Sequence, residues 1–433
     1  MHILLILVFV AGYLCIVFEH KLGINKTAFA LLTGILCWTI YFLGSGDITQ
    51  PYLLLHDHLS DITSILLFLM GAMTIVELVD NHRGFQTITK RITTRNKVQL
   101  LWVISILTFF MSAILDNLTT SIVMISLLRK IIHTREDIKF FGGVVVIAAN
   151  AGGAWTPIGD ITTTMLWIEG QITSWNIIKS LFIPSLLSMV VPLIFISTRM
   201  KGVFDKTSIQ KPTDHIKDFD RRTIFGVGMA ALIFVPIFKT FTGLPPFMGM
   251  LLGLGILWIV VEILQRKAPE EVTANFSVIR ALQKIDVSSV FFFLGILLAI
   301  ACLESTGQLG ALSQLLSEKI GNNDLVIFIT GIASSIIDNV PLVAAAQGMY
   351  PLPPPDPSMA VAGVEYFPTD SRIWEFLAYA AGTGGSMLII GSAAGVAVMG
   401  MLKIDFVWYF KRITPWALLG YLVGAGAYLL INY

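Results

Sequence analysis

Two pairs of residues carry the chemistry of this sequence. Asp116 and Asn117 stand in Ser112-Ala-Ile-Leu-Asp-Asn-Leu-Thr-Thr-Ser121, between apolar runs of membrane length. The pairing returns as Asp338 and Asn339 in Ser334-Ser-Ile-Ile-Asp-Asn-Val-Pro341. An acid at the centre of a bilayer costs roughly 2.5–3.5 kcal/mol on insertion scales, so such residues are rare and mark function. A carboxylate beside an amide in apolar surroundings can take a proton or a hard cation.

Each pair has a companion segment rich in oxygen. For Asp116 it is Ala148-Ala-Asn-Ala-Gly-Gly-Ala-Trp-Thr-Pro-Ile-Gly-Asp-Ile-Thr-Thr-Thr164, where Pro157 lacks an N–H and the glycines loosen the backbone. Asn150, Thr156, Asp160, Thr162 and Thr163 supply side-chain oxygens there. For Asp338 it is Ala380-Ala-Gly-Thr-Gly-Gly-Ser-Met-Leu-Ile-Ile-Gly-Ser-Ala-Ala-Gly395, with Thr383, Ser386 and Ser392. An all-oxygen set without Cys or His suits Na⁺ and argues against zinc or copper. The expectation is two sites, the first with two acids (Asp116, Asp160) and the second with one, so that Na⁺ sits at the Asp116/Asp160 cluster. One carboxylate cannot hold a proton and Na⁺ well together, so moving that seat across a membrane gives antiport. Asn117 and Asn339 are expected both to cap the returning half-helices and to offer an oxygen.

The chain must hold these groups in a bilayer. Of its 433 residues 55% are hydrophobic and 13% charged, against about 25% charged in soluble domains. Cys15, Cys37 and Cys302 lie in apolar runs and read as core residues. The net charge of +1 gives no support for nucleic-acid binding. Met1-His2 runs straight into an apolar helix, expected to be retained. Spans are expected near 3–18, 27–43, 62–79, 178–198, 223–241, 246–264, 287–303 and 413–431, with broken helices over 140–166 and 373–400. Short pieces at 99–132 and 325–350 read as re-entrant hairpins, tolerated only where protein or a water-filled cavity surrounds them.

The expected fold is therefore all-α and polytopic: two inverted repeats, each of five transmembrane helices plus one re-entrant hairpin. The first repeat covers 1–198, a cytoplasmic linker 199–222 and the second repeat 223–433. Leu67–Gly71 matches Phe291–Gly295, Asp116-Asn117 matches Asp338-Asn339, and Gly152, Gly153 and Gly159 match Gly384, Gly385 and Gly391. Asp160 aligns with neutral Ser392. With this topology 25 of the 29 Lys and Arg fall on one side, which the positive-inside rule makes cytoplasmic; both termini are then outside. Glu77, Asp80 and Glu304 stand at span ends, and Glu77 is the one placed to extend a proton path. His56, His58, His82, His133 and His215 are expected in loops. The proline-rich stretch in 351–372 reads as a connector or partial lid.

The four motifs, in order along nearly the whole chain, resemble those of the NhaD-type sodium/proton antiporters of the ion transporter superfamily. The resemblance implies a Na⁺ (and Li⁺)/H⁺ antiporter of the bacterial inner membrane. It also implies activity at alkaline pH, a homodimer, and a scaffold domain beside a moving domain that carries both hairpins. It implies no cofactor and no enzymatic activity. Relatives that carry dicarboxylates have a Ser-Asn-Thr motif at each hairpin tip, where this chain has Asp-Asn. The alternative on the same fold is a Na⁺-coupled anion or dicarboxylate symporter, which would want a free Lys or Arg; none is expected near the motifs. A remoter alternative, an intramembrane aspartyl protease, rests on Gly44-Ser-Gly-Asp47, a short pattern in an outer loop.

Overall fold

The computed structural model describes the chain except residues 90, 91, 93, 95, 205–216, 267–276, 355, 357, 359–364 and 433. Among the described residues the fold is all-helical, with one isolated β-bridge, Asn96 to Val203. In chain order the helices are α1 His2–Val17, α2 Glu19–Leu22, α3 Lys26–Gly44, α4 Thr49–Asn81, α5 Gln86–Thr89, α6 Lys97–Ser112 and α7 Asn117–Ile131. Then come α8 Arg135–Ala154, α9 Ile161–Ile168, α10 Ser174–Arg199, α11 Asp218–Thr242, α12 Pro246–Gln265, α13 Val278–Lys284 and α14 Val287–Ser305. The last are α15 Gln308–Ile320, α16 Asn323–Ala333, α17 Asn339–Met349, α18 Arg372–Gly384, α19 Ala393–Leu402, α20 Phe406–Arg412 and α21 Thr414–Ile431.

Eight of the described helices are long and apolar enough to cross a bilayer, or nine if the α19–α20 pair, bent by 113°, counts as one span. Leu14, Leu36, Phe241 and Ile259 stay exposed on α1, α3, α11 and α12, as side chains that face lipid must. The most enclosed of the long helices is α8. Together these make the chain a multi-pass membrane protein.

Two sequence expectations need correction. The span expected at 62–79 is the second half of a 33-residue helix, α4. His56 and His58 are therefore helical, and His82 is buried as the C-cap of the same helix. His56, Asp57, His58, Ser60 and Asp61 break the apolar run that marks a span in the sequence, but a helix satisfies its own backbone whatever its side chains, so α4 continues through them. Asp47 accepts from Thr49 N (2.9 Å) and helps start the helix. His133 does lie in a loop, between α7 and α8; His215 and residues 205–216 of the expected linker fall outside the described residues.

The interruptions fall where the sequence weakens the helical ladder. The chain leaves helix between α6 and α7, α8 and α9, α16 and α17, and α18 and α19. Contacts at these breaks come in matching pairs. Ser112 Oγ donates to Ala149 O (2.6 Å), and Ser334 Oγ donates to Ala381 O (2.8 Å). A Cβ on Gly152 would overlap the Phe109 carbonyl oxygen; one on Gly384 would overlap that of Gly331. Glycine at these two positions lets α8 touch α6, and α18 touch α16, backbone to backbone. The pairs also cross over: α7 packs against α19, and α17 packs against α9.

Candidate functional site

Four helix N-termini open at the breaks, and each is capped by a residue the sequence singled out. Asp116 caps α7: its Oδ1 accepts from Thr119 N (2.7 Å) and its Oδ2 from Thr119 Oγ1 (2.6 Å). Asp160 caps α9 through Thr162 N (3.3 Å), and Asp338 caps α17 through Val340 N (3.3 Å). Ser392 caps α19 through Gly395 N (3.1 Å). The caps are thus the acids, and Asn117 and Asn339 are the first residues of their helices, contrary to the sequence reading. An N-cap side chain must precede the first turn to reach back to its free N–H groups, and that position belongs to the aspartate. A helix N-terminus carries roughly half a positive charge, so carboxylates are favoured at these points even at depth.

The asparagines instead belong to a network in which Asn150 and Asn339 join the two halves. Asn117 Nδ2 donates to Asn150 Oδ1 (3.0 Å). Asn150 Nδ2 donates to Ser386 Oγ and to Ser392 Oγ, both at 3.0 Å. Asn339 Nδ2 reaches Asp160 Oδ2 at 3.5 Å. Asn150 is fully enclosed, and Asp160 is 2% exposed. The two expected sites are therefore stitched into one polar network, in which the acid of the first broken helix meets the amide of the second tip. The crossing of α7 with α19 and α17 with α9 brings this about, and pairing within each half could not have anticipated it.

The remaining oxygens are less free than expected. Thr156 Oγ1 donates to Ala113 O (2.6 Å), tying the first break to the first tip. Thr163 Oγ1 donates to Ala154 O (3.4 Å), and Thr383 Oγ1 to Tyr379 O (2.6 Å) within its own helix. Each hydroxyl keeps lone pairs to offer. Thr120 and Ser121, which the sequence reading left out, are fully buried on the first turn of α7, and their hydroxyls have no hydrogen-bond partner among the described residues. Their place one turn past Asp116 was the signal for them.

Neither Asp116 nor Asp160 enters an ion pair among the described residues, whereas Asp338 does: Lys26 Nζ lies 2.8 Å from its Oδ2. This corrects the expectation that no Lys or Arg stands near the motifs. Lys26 was counted with the basic loop before α3; it is instead the first residue of that helix, and its long side chain carries the ammonium to the second tip. Glu77, the candidate for a proton path, pairs with Lys284 (3.2 Å). Asp47 is exposed, and hydrogen bonds from Thr49 hold its carboxyl below the usual range.

A second group of acids lines a cavity of about 230 Å³ formed by α4, α9, α14 and α17, with His58, Asp61, Glu169 and Glu304 on its wall. Met165 and Ala344 also line it, each five residues along its half-helix from Asp160 and Asn339, a rise of about 7.5 Å. Glu169 stands in the loop after α9, where burial, with Asp61 and Glu304 nearby, pushes its carboxyl up to about 7. Pro351 and Leu352, the start of the proline-rich connector, close part of this cavity. The far end of the connector is fastened by Thr173 N and Oγ1 donating to the Asp370 carboxylate (2.6 and 2.7 Å). Another buried acid, Glu375 on α18, is fully engaged: Asn176, Ser180 (3.0 Å) and Tyr428 (2.8 Å) all donate to it.

Comparison with known proteins adds an independent observation. Residues 13–364 match the family model described as Citrate transporter. The chain is 47% identical over 430 residues to Sodium/proton antiporter 1 of Arabidopsis thaliana, covering 98% of this chain and 72% of that protein. It is 44% identical to Sodium/proton antiporter 2 of the same plant, covering 98% and 99%. It is 30% identical to the Na(+)/H(+) antiporter NhaD of Vibrio cholerae, covering 99% and 91%.

Proposed function

This chain belongs to the NhaD-type sodium/proton antiporters within the citrate transporter family, and from that premise we propose how its geometry performs the exchange. The protein exchanges Na⁺ for H⁺ across a membrane. The observation that carries the mechanism is Asp160: a carboxylate 2% exposed, hydrogen-bonded only to Thr162 N and Asn339 among the described residues, with no basic partner. A buried carboxylate left without a counter-charge must bind a proton or a cation. Asp160, with Asp116 across the break, is that seat. Thr156, Thr162 and Thr163 offer further oxygens, and Asn117, Asn150, Asn339, Ser386 and Ser392 hold the frame. Na⁺ displaces the proton because both need the same lone pairs. Li⁺, smaller and as hard, is a second cargo.

Alternating access is the motion we propose for two inverted repeats around one midplane site, a reading that the pairing of contacts at the breaks supports. The α6–α7 and α16–α17 pairs act as re-entrant hairpins opposed in direction. In a bacterial cytoplasmic membrane the basic loops face the cytoplasm, both termini face outside, and the Glu169 cavity is the outer vestibule.

The citrate transporter model keeps a Na⁺-coupled anion symporter as the second reading. The site argues against it: Asp116, Asp160 and Asp338 already occupy three of the four N-termini an anion would use, and Lys26, the ammonium beside them among the described residues, is engaged by Asp338. The deciding experiment uses proteoliposomes with a preset pH gradient and a pH-sensitive dye. Adding Na⁺ or Li⁺ should collapse the gradient without any organic anion. A gradient that responds only when citrate or another carboxylate is supplied would establish the symporter instead.

A further inference from the structure

The two hairpin tips are not equivalent in charge, and the difference is a residue of α3. Lys26 Nζ meets Asp338 Oδ2 at 2.8 Å and lies 4.1 Å from the centre of the Phe292 ring. The matching tip, Asp116, faces no cation among the described residues. It borders a small cavity of about 30 Å³ whose wall, with Phe68, Leu69, Ala72 and Met250, is apolar apart from Thr164 and Asp116 itself. The position corresponding to Lys26 can be found from packing. Gly295 of α14 lies against Ala30 of α3, and its repeat partner Gly71 of α4 lies against Met250 of α12. Four residues back from Ala30 is Lys26, the first residue of α3; four back from Met250 is Pro246, the first residue of α12. Proline cannot carry charge. Where the second tip has a tethered ammonium, the first tip has none among the described residues.

We propose that Lys26 is the resident cation of the second tip: it fills at Asp338 the place that Na⁺ or a proton takes at Asp116 and Asp160, so that each cycle uses one exchangeable seat rather than two. This rests on the exchange reading above and goes further, because it assigns the ion count to a named residue. Lysine suits the part. Its ammonium is a compact point charge of the same valence as Na⁺, and a four-carbon stem lets it follow a moving carboxylate. The pair also links α3 to the tip of a hairpin, so it is a contact that movement of the tip must stretch or carry along. The other ionisable groups at this point are Glu19, which accepts from Lys26 N (3.1 Å), Asp286 near the ammonium, and Tyr13 and Asp160 near Asp338. Glu19 and Asp286 border the basic side of the membrane and bear on Lys26; Asp160 is the exchangeable seat itself.

The test compares wild type, K26Q, D338N and the double variant K26Q/D338N in proteoliposomes. Apparent Na⁺ affinity is measured from pH 6 to 9.5, with proton release on Na⁺ binding measured in detergent. Exchange by wild type is the control: its absence would sink the functional reading, not this one. K26Q should free Asp338 as a second seat, adding an ionisation to the pH profile and raising the protons released per Na⁺-saturated protein. D338N should leave an uncompensated ammonium and weaken Na⁺ binding by tenfold or more. The double variant should regain most of that loss, because it removes both charges together. A pairing that is only structural would lower the unfolding temperature of the single variants without altering proton release. If K26Q keeps the wild-type pH profile and proton count, or if the double variant binds Na⁺ no better than D338N, Lys26 is not the resident cation.

Discussion

Asp160 and Asn150 do different work at the site. Asp160 offers charge, so Asp160→Asn should lower Na⁺-driven exchange by roughly 100-fold or more at saturating Na⁺, the ~3 kcal/mol scale of losing one side of a buried charge contact, while the protein still folds. Dye-based exchange in proteoliposomes reads this directly; exchange within threefold of wild type would remove Asp160 from the mechanism. Asn150 offers connection. It ties Asn117 to Ser386 and Ser392 by three hydrogen bonds, so Asn150→Ala should cost about 2–3 kcal/mol of stability at roughly 1 kcal/mol per bond. Thermal unfolding in detergent should show the loss, and an unchanged transition would mean the network is not a brace. The acids were legible in sequence because an intramembrane carboxylate is costly wherever it stands. The direction of the asparagines was not, because Asn150 and Asn339 bond to partners in the other half of the chain.

At the scale of elements, the breaks depend on close approach. At Gly384 any side chain would meet the Gly331 carbonyl, a backbone atom that cannot turn aside. Gly384→Val should therefore push α18 off α16 and destabilise the fold by about 1–3 kcal/mol, as overpacking does, with a matching effect of Gly152→Val on α8 and α6. Comparing the two variants' unfolding also tests the repeat; a large loss in one and none in the other would speak against equivalent packing. The cavity of α4, α9, α14 and α17 makes a separate prediction about pH. Glu169, pushed up to about 7, is protonated below that pH and charged above it. The vestibule should therefore attract cations more strongly as pH rises through 7, and apparent Na⁺ affinity should rise with it. Glu169→Gln should flatten that part of the profile; a profile as steep as wild type would place the titration elsewhere. The sequence offered Glu304 only as a span-end residue and did not suggest Glu169. A vestibule exists only once four separate helices are brought around it.

For the whole molecule, the distribution of basic residues argues a specific orientation. With 25 of 29 Lys and Arg on one side of the expected topology, a reporter fused after the last helix should lie outside the cytoplasm. A C-terminal fusion to a phosphatase active only outside, paired with a fluorescent protein that matures only inside, distinguishes the two cases; cytoplasmic fluorescence would require a different count of crossings. The same count shows the limit of such bookkeeping. Lys26 contributed to it as one more loop charge, while in the folded protein its ammonium is bonded to Asp338, 312 positions away in the chain.

The sequence by itself determined that the chain is helical and lies in a membrane, where its helices break, and which acids stand at the breaks. These follow from local facts: apolar length, the missing N–H of Pro157, and the price of an acid among apolar neighbours. The tertiary structure decided which halves those groups belong to in use. It merged two expected sites into one network through Asn150 and Asn339, made the aspartates the caps, extended α4 to take in His58, and set a lysine against Asp338 but, among the described residues, no basic partner against Asp116. The reason is physical. Charge and hydrogen bonding act over a few ångströms in space, and the crossing of α7 with α19 and of α17 with α9 brings together residues that no spacing along the chain connects.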